Sequence, residues 1–584
     1  MSLLLLPKEI RQRILLEVVS AILAKRDARN VLPFPDSLLP PLSEAEGSGF
    51  PGSFGKDPII PYLAHVNDRI SIKACTSLEG SLSGQTQYCY QDHPRPSDEQ
   101  QSRSILALLC ICRQLREDLI DFQAFWSQIA LLYPCFLPDS LNWAGNGSVH
   151  PYRLETAHGL CACALPMILP RVHRASHLSL SLPLKPWYGT HPSEQIFERL
   201  AVMGSPRIQH IQLCYDSYEH ALEVVGDQSM EIRSLLTFCG VNNPIVAWGP
   251  NLTSLKLAST TEKVELPVGL VLAVVRQCLL LEVLSLQTVL SIDETDQLAD
   301  EEEEVTSTTP PIALVHLRFF LLCDNVQMWT EVWQNLAVPP FTSLHPDIVI
   351  GRLDQLDRDY DDYAEEAISN GFDGHCVSCR VVVVDYHQTD LSPGWDRVPE
   401  YIRFAFSPTK YGALKERDPS SIAVRSSLTL RFRGIALDKR YPYSEGIGDM
   451  PQPTNWLDKL FNGLSKGTRE SASLDLTTTE TLVIKAGGRT RNFDDFACIS
   501  QTFPNIHTLV LHGVMDTESR TAIGVISELS KPTTPWSRLQ RVWFPDWDPI
   551  SEVGEHWNLE LRDRSSRISH RDIHWLTVRD GVWE

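Results

Sequence analysis

The sequence predicts a mixed α/β protein in which strands and helices alternate along a curved solenoid with a parallel sheet, preceded by a small all-α module. Three observations support this prediction. A strand-like ladder of aliphatic residues recurs along the chain, amphipathic helical segments lie between the ladders, and two further helical segments lie near the beginning of the sequence. A chain of 584 residues is long enough for such an extended array.

The ladder follows the pattern aliphatic-x-x-aliphatic-x-aliphatic, as in "IHTLVL" from Ile506. The other copies start at Ile208, Leu252, Leu281, Leu314, Leu539 and Ile573. The first four starts are 44, 29 and 33 residues apart and the last three 33 and 34. These intervals are typical of arrays that alternate a strand with a helix. Looser ladders lie near Leu178, Val381, Leu428 and Leu482.

Segments with helical periodicity separate the ladders, and they begin at Ser193, Pro267, Met328, Asn455, Arg491 and Glu518. Alternation of strand and helix predicts a parallel sheet with helices along its outside. The array resembles leucine-rich repeats, which implies roughly ten to twelve irregular repeats over residues 135–584. The asparagine that normally follows such a ladder is replaced here by Asp216, Thr260, Val289, Leu322, Val514 and Trp547.

The first helical segment is "LPKEIRQRILLEVVSAIL", where Pro7 suits the first helical position and aliphatic residues recur every fourth position from Ile10 and Ile14. Residues 29–101 are rich in Pro, Gly and Ser and predict a disordered insertion. The segment "SILALLCICRQLREDLIDFQAFW" then predicts a second strong helix or helix pair.

These two segments resemble the F-box, a module that opens with Leu-Pro-x-Glu-Ile and that precedes leucine-rich repeats in many fungal proteins. The resemblance implies an F-box-like module over residues 1–134 that binds a Skp-type adaptor of a cullin-RING ubiquitin ligase. Its partner-binding residues would be Leu6, Pro7, Glu9, Ile10, Ile14, Leu108, Leu109, Cys112, Leu115 and Trp126. Two alternatives stay open: a related fungal-type domain without an established adaptor, and an ordinary core helix pair.

Composition limits the other possibilities. The net charge of -21 repels nucleic acid and anionic membranes, so neither is expected as a partner. No apolar stretch approaches the roughly 20 residues that a membrane helix needs, and no secretory signal is recognisable. Without export, the 14 cysteines are expected to be reduced thiols in the cytoplasm or nucleus.

Candidate chemistry is sparse. His375, Cys376 and Cys379 have a spacing that a zinc site could use, but without a second Cys-x-x-Cys, free cysteines at the start of a buried strand are favoured. No phosphate-binding loop or catalytic elbow is found, so we expect neither an enzyme nor a cofactor. The acidic segment 293–311 is interpreted as a solvated loop. Candidate partner contacts are Trp187, Tyr188, Trp248, Trp543 and Trp547.

The sequence thus leads to a non-catalytic adaptor that binds a Skp-type protein through its first helices and a target protein, not identifiable from the sequence, through its repeats. The competing hypothesis is an interaction scaffold without a ligase connection, in which the same helices cap the end of the solenoid.

Overall fold

The structure is a computed structural model, and two compact units divide the residues that it describes: unit 1 up to residue 291 and unit 2 from residue 310. The described residues are 6–15, 17, 113–129, 141–145, 152–155, 165–183, 192–203, 207–216, 224–225, 228–259, 264–291, 310–350, 377–387, 401–407, 428–434, 461, 463–466, 474–487, 497–512, 528, 536–544 and 574–577.

Six helices, named here α1 to α6, lie among the described residues of unit 1. They are α1 (residues 8–15 and 17), α2 (Arg113–Ile120), α3 (Gln123–Ile129), α4 (Leu165–Ile168, continued by a 3-10 helix over Leu169–Arg174), α5 (Pro192–Met203) and α6 (Val268–Gln277). Because α3 packs against the first strand of the sheet, the helices near the chain start and the sheet belong to the same unit. The domain boundary predicted at residue 134 stays a prediction.

Six parallel strands form the main sheet of unit 1, in the order β1-β2-β3-β6-β8-β10. Their bounds are β1 Tyr152–Glu155, β2 Ala175–Pro183, β3 His210–Asp216, β6 Thr237–Val241, β8 Ser254–Ala258 and β10 Val283–Gln287. Shorter strands pair beside this sheet: β4 (Val224–Val225), β9 (Val264–Pro267) and β11 (Leu290–Ser291) in one group, β5 (Gln228–Glu231) and β7 (Ile245–Trp248) in another.

One face of the unit 1 sheet carries the aliphatic ladders. A single register row crosses all six strands and is fully buried: Leu154, Leu178, Ile211, Phe238, Leu255 and Leu284. The ring centroid of Phe197 on α5 lies 6.5 Å from that of Phe238, so α5 packs over this face. The burial of this row supplies the hydrophobic core of the unit.

Unit 2 has nine described strands in its main sheet, in the order β13-β15-β19-β18-β17-β21-β22-β23-β24. Their bounds are β13 Phe319–Asp324, β15 Ser343–Ile350, β17 Val381–His387, β18 Tyr401–Ser407, β19 Leu428–Gly434, β21 Thr481–Gly487, β22 Thr508–His512, β23 Arg541–Phe544 and β24 His574–Thr577. The short strands are β12 (Ile312–Ala313), β14 (Leu336–Ala337), β16 (Val377–Ser378) and β20 (Leu474–Asp475).

The predicted parallel sheet is interrupted at one strand of unit 2, because β18 pairs antiparallel with both β17 and β19. Strand β18, whose sequence is YIRFAFS, is absent from the predicted ladders. Its Phe404, Ala405 and Phe406 are all buried, so this strand lies in the core although its aromatic residues do not match the aliphatic ladder template. The remaining pairs of this sheet are parallel, so the mixed α/β class is confirmed while the curved solenoid stays a proposal.

Helices α7 (Val326–Gln334) and α8 (Ala497–Thr502) lie in the predicted helical segments of unit 2. Asn325 caps α7 by accepting a hydrogen bond from the backbone N–H of Met328 at 2.9 Å. Trp329 and Trp333 of α7 stack on Phe320 of β13, with ring centroids 5.5 and 6.3 Å away. This aromatic contact fixes the helix against the sheet.

The structure corrects two of the predicted ladders. The ladder template missed strand β6, which lies between the ladders that start at Ile208 and Leu252. Phe238 of β6 shares a register row with Ile211 and Leu255, 27 residues after the first and 17 before the second. It therefore divides the 44-residue interval between those ladders. The ladder assigned to Leu314 is out of register by three residues, because β13 begins at Phe319 and the buried positions are Leu317, Phe320 and Leu322.

In both corrected registers an asparagine occupies the ninth position of the ladder. Counted from Leu235 in the missed ladder, the ninth position is Asn243, which is buried and donates from Nδ2 to the Ile245 carbonyl at 3.0 Å. Counted from Leu317, the ninth position is Asn325, the cap of α7. The two asparagines therefore satisfy backbone groups where the chain leaves a strand.

Several predictions lie outside the described residues. They are the insertion at 29–101, the acidic segment except for residues 310 and 311, and most of the helices predicted from Asn455 and Glu518. Among the helices within the described ranges, none has the length and apolar character to cross a membrane.

We predict that Leu255→Ala lowers the free energy of unfolding by about 2–5 kcal/mol, because Leu255 is fully buried between neighbouring strands. Denaturant unfolding of the full chain measures this change. Val202→Ala is the control, because Val202 is 78 % exposed on α5 and its truncation is expected to change stability by less than about 0.5 kcal/mol. Equal losses in the two variants would contradict the assigned core.

Candidate functional site: the amino-terminal helix and the polar sheet face

A buried ion pair joins α1 to α2. The Arg11 guanidinium donates to Asp118 Oδ2 from Nη2 at 2.6 Å and from Nε at 2.7 Å, and the two side chains are 6 % and 8 % exposed. Gln12 donates to the Asp118 carbonyl at 3.5 Å, and Lys8 forms an exposed ion pair with Asp121 at 3.2 Å. The buried charge of Arg11 is compatible with folding because the Asp118 carboxylate neutralises it and accepts its hydrogen bonds.

The packed side of α1 is formed by Arg11 and Leu15, one helical turn apart, and both are buried. The next stripe around the helix, Ile10 and Ile14, is left in solvent at 45 % and 37 % exposure. Side chains four residues apart lie on one face of a helix, so the two isoleucines form a continuous apolar strip. The sequence identified this strip as the apolar face of the helix, and the structure leaves it uncovered.

Trp126 is a core residue in the structure, and its predicted contact with an adaptor stays a prediction. Its side chain is 1 % exposed, and its indole N–H donates to the Leu119 carbonyl at 2.7 Å. The rings of Phe125 and Trp143 lie 5.0 and 4.5 Å away. The tryptophan therefore holds α2 and α3 together from inside.

The remaining predicted contacts divide into two groups. Pro7 and Glu9 are exposed at the start of α1 beside the partly buried Leu6, so the structure brings Leu6, Pro7, Glu9, Ile10 and Ile14 together on one short element. Leu108, Leu109, Cys112 and the side chain of Leu115 lie outside the described residues. Sequence reasoning missed Arg11 and Asp118, which are 107 positions apart and carry no local signal of their pairing.

The second face of the unit 1 sheet is polar. One register row on it runs through Arg153, His177, His210 and Thr237, all partly exposed. The rings of His177 and His210 stack with centroids 4.3 Å apart. Nδ1 of His210 is hydrogen-bonded to the Thr237 hydroxyl at 2.9 Å. This row is the polar surface that unit 1 presents opposite its aliphatic ladders.

Burial, followed by the neighbouring His210 and Arg153, lowers the pKa of His177 to about 4. Burial followed by the charge of Arg153 also lowers the pKa of His210. Both imidazoles are therefore neutral at pH 7, and the stacked pair resists protonation in the folded protein.

The aromatic candidates separate in a similar way. Trp248 ends β7 and is partly buried, whereas Trp543 of β23 is only 8 % exposed and is a core residue, which corrects its predicted surface role. Trp187, Tyr188 and Trp547 lie outside the described residues.

Cys379 is a buried cysteine outside any disulfide, and it lies two residues before β17. Its predicted neighbours in a metal site, His375 and Cys376, lie outside the described residues. Elsewhere in the part of the chain that the structure describes, no three His, Cys, Asp or Glu side chains group so as to hold a metal ion.

Comparison with known proteins yields no match, either among models of protein families or among curated proteins.

We predict that Arg11→Met or Asp118→Asn weakens the docking of α1 on α2 by about 3–5 kcal/mol, because each change leaves one buried charge without the opposite charge beside it. Hydrogen exchange of the α1 amides measures the effect. The double variant Arg11→Met/Asp118→Leu removes both partners and is expected to recover most of the loss. Additive losses in the double variant would show that the two residues do not act as a pair.

We also predict that acid destabilises the protein through the stacked histidines. The unfolded chain protonates them near pH 6.5 while the folded chain does not, so their contribution is complete above pH 6.5 and falls as the pH drops toward 4. Urea unfolding at pH 7.5 and 5.0 measures this. His177→Gln/His210→Gln is expected to be less pH-sensitive than wild type, whereas His316→Gln, an exposed turn residue, is the control.

Proposed function

We propose that the protein is a substrate-recognition adaptor of an SCF-type (cullin-RING) ubiquitin ligase. In this proposal α1 binds a Skp-type adaptor, and the repeats bind the target protein. The chain itself performs no chemistry: it brings the target close to the ligase and fixes its orientation. The place of action would be the cytoplasm or nucleus, where these ligases work.

The observation that carries this proposal is the exposed strip of Ile10 and Ile14 on a helix anchored by a buried ion pair. Large aliphatic side chains exposed side by side favour a protein contact over permanent exposure to water. Each isoleucine buried by a partner contributes about 1.5–3 kcal/mol. The anchoring matters because a pre-positioned helix loses little conformational entropy when it binds.

Support for the repeat part comes from the corrected ladders. With Asn243 and Asn325 at the ninth position, two copies follow the leucine-rich pattern more closely than the sequence first indicated. A leucine-rich-repeat-like solenoid over residues 135–584 accounts for the parallel, in-register strands within each unit. The polar row of Arg153, His177 and His210 is then the candidate target-binding surface of unit 1.

A specific observation also favours the second candidate, a non-catalytic interaction scaffold without a ligase connection. Helix α3 packs against β1, and Trp126 is buried between the helices. Such helices can serve as the polar-faced cap that the end of a repeat array requires. The two candidates differ in whether Ile10 and Ile14 contact another protein.

Co-purification separates the two candidates. The full chain is produced with a Skp-type adaptor and recovered through a tag, and we expect the wild type to retain the adaptor. Ile10→Asp/Ile14→Asp is expected to reduce the retained adaptor at least about tenfold, because it places two charges in a desolvated contact. Both positions are already in solvent, so folding is expected to be preserved.

Val202→Asp is the matched control, because it places a carboxylate at another exposed apolar position of unit 1. Retention of the adaptor by Ile10→Asp/Ile14→Asp, or its absence from the wild type, would favour the scaffold. Circular dichroism of each variant distinguishes lost binding from lost folding.

A further inference from the structure

A polar depression in unit 2 opens at the ends where several parallel strands begin. Its volume is about 300 Å³, and its wall includes Arg380, Arg538, His507, Thr479, Asn505 and Glu480. This size is at the lower end for small-molecule sites and suits one compact chemical group.

The backbone of the sheet holds this wall in place. Arg380, Glu480 and His507 immediately precede strands β17, β21 and β22. The N–H of Glu480 donates to the Arg380 carbonyl at 2.9 Å, and the N–H of His507 donates to the Glu480 carbonyl at 2.8 Å. The three side chains therefore leave adjacent strands from fixed positions, as a pre-organised site requires.

Within the described part of the chain, the cations on this wall are without side-chain partners. Neither the Arg380 nor the Arg538 guanidinium, nor the His507 ring, forms a side-chain hydrogen bond or ion pair with any residue that the structure describes. Three other arginines, Arg11, Arg113 and Arg233, each pair with a carboxylate. In a chain of net charge -21, carboxylates are abundant, so two unpaired arginines at one depression need an explanation.

The wall also holds an unused hydroxyl. Thr479 is 1 % exposed, and its Oγ1 has no hydrogen-bond partner within the described part of the chain. Buried polar atoms are normally satisfied, so an orphan beside the unpaired cations indicates a group that is supplied from outside. The carboxylate of Glu480 opposes an anion here, but its one charge is outnumbered by the two arginines.

We propose that this depression binds a phosphate group. Guanidinium groups bind tetrahedral oxyanions through paired N–H donors, and two of them converge here. Phosphate is favoured over a carboxylate because its charge of about -1.5 to -2 gains more from two cations and offsets the repulsion from Glu480. The phosphate is either free in solution or carried by a phosphorylated side chain of a protein segment. The site involves unit 2 alone and does not depend on the ligase proposal.

Titration calorimetry of the full chain in a low-salt, phosphate-free buffer tests the site. The probes are inorganic phosphate, a blocked alanine pentapeptide with a central phosphothreonine, and the same peptide without phosphate. We expect saturable binding of at least one phosphate probe and none of the unmodified peptide. Arg380→Gln and Arg538→Gln are each expected to weaken binding about tenfold or more, and together to abolish it.

Arg318→Gln is the matched control. Arg318 precedes β13 as Arg380 precedes β17, and its carbonyl likewise accepts a strand hydrogen bond, from Ser343 at 2.8 Å, but its side chain lies away from the depression. The Arg318→Gln variant is expected to bind the phosphate probes as tightly as the wild type does. An unchanged thermal midpoint of Arg380→Gln/Arg538→Gln shows that lost binding is not lost folding. Retention of the Skp-type adaptor by the same variant shows that the phosphate site and the proposed ligase function are independent.

The relative affinities of the two phosphate probes identify the source of the phosphate. Tighter binding of the phosphopeptide than of inorganic phosphate supports the site with a phosphorylated protein as its source, and the opposite order supports it with free phosphate. The proposal is overturned by absence of saturable binding up to about 20 mM of either phosphate probe. It is equally overturned if Arg380→Gln/Arg538→Gln binds as wild type does, or if Arg318→Gln loses as much.

Discussion

In-register pairing of parallel strands is the constraint on which each unit depends. A strand places alternate side chains on opposite faces, so a shift of one residue in pairing would move every buried leucine to the other face. In unit 1 the row from Leu154 to Leu284 holds all six strands in one register, because each member is fully buried against its neighbours. Once this row is set, the positions where the chain enters and leaves each strand are set too.

The functional features follow from those entry and exit points. Asn243 and Asn325 satisfy backbone groups where strands end, while Arg380, Glu480 and His507 are aligned where strands begin. The two units differ in how they use their faces. Unit 1 keeps a polar face with His177 and His210, whereas the central strands of unit 2 are buried on both faces, as the run of valines from Val381 to Val384 shows.

The amino-terminal helix reverses the usual distribution of polar and apolar side chains. An arginine lies on its packed side, and two isoleucines lie on its open side. The buried charge is tolerated because Asp118 accepts two hydrogen bonds from it, and this geometry allows α1 to dock on α2 in one orientation. A helix held in this way keeps its apolar strip available, which is the physical basis of the proposed contact with an adaptor. If a partner covers Ile10 and Ile14, the helix becomes conventionally amphipathic in the complex.

Periodicity in the sequence predicts the mixed α/β class, most of the ladders and the helices over Pro192–Met203, Val268–Gln277 and Val326–Gln334, because periods of two and 3.6 are local properties of the chain. It also predicts the apolar strip of Ile10 and Ile14. The register of β13, the presence of β6 with its Gly240 in place of a leucine, and the antiparallel insertion of β18 become visible in the folded chain alone. The same holds for the pairing of Arg11 with Asp118 and the meeting of Arg380 with Arg538. Each of these depends on contacts between residues far apart in the chain, and no local pattern encodes which distant strand or side chain becomes the neighbour.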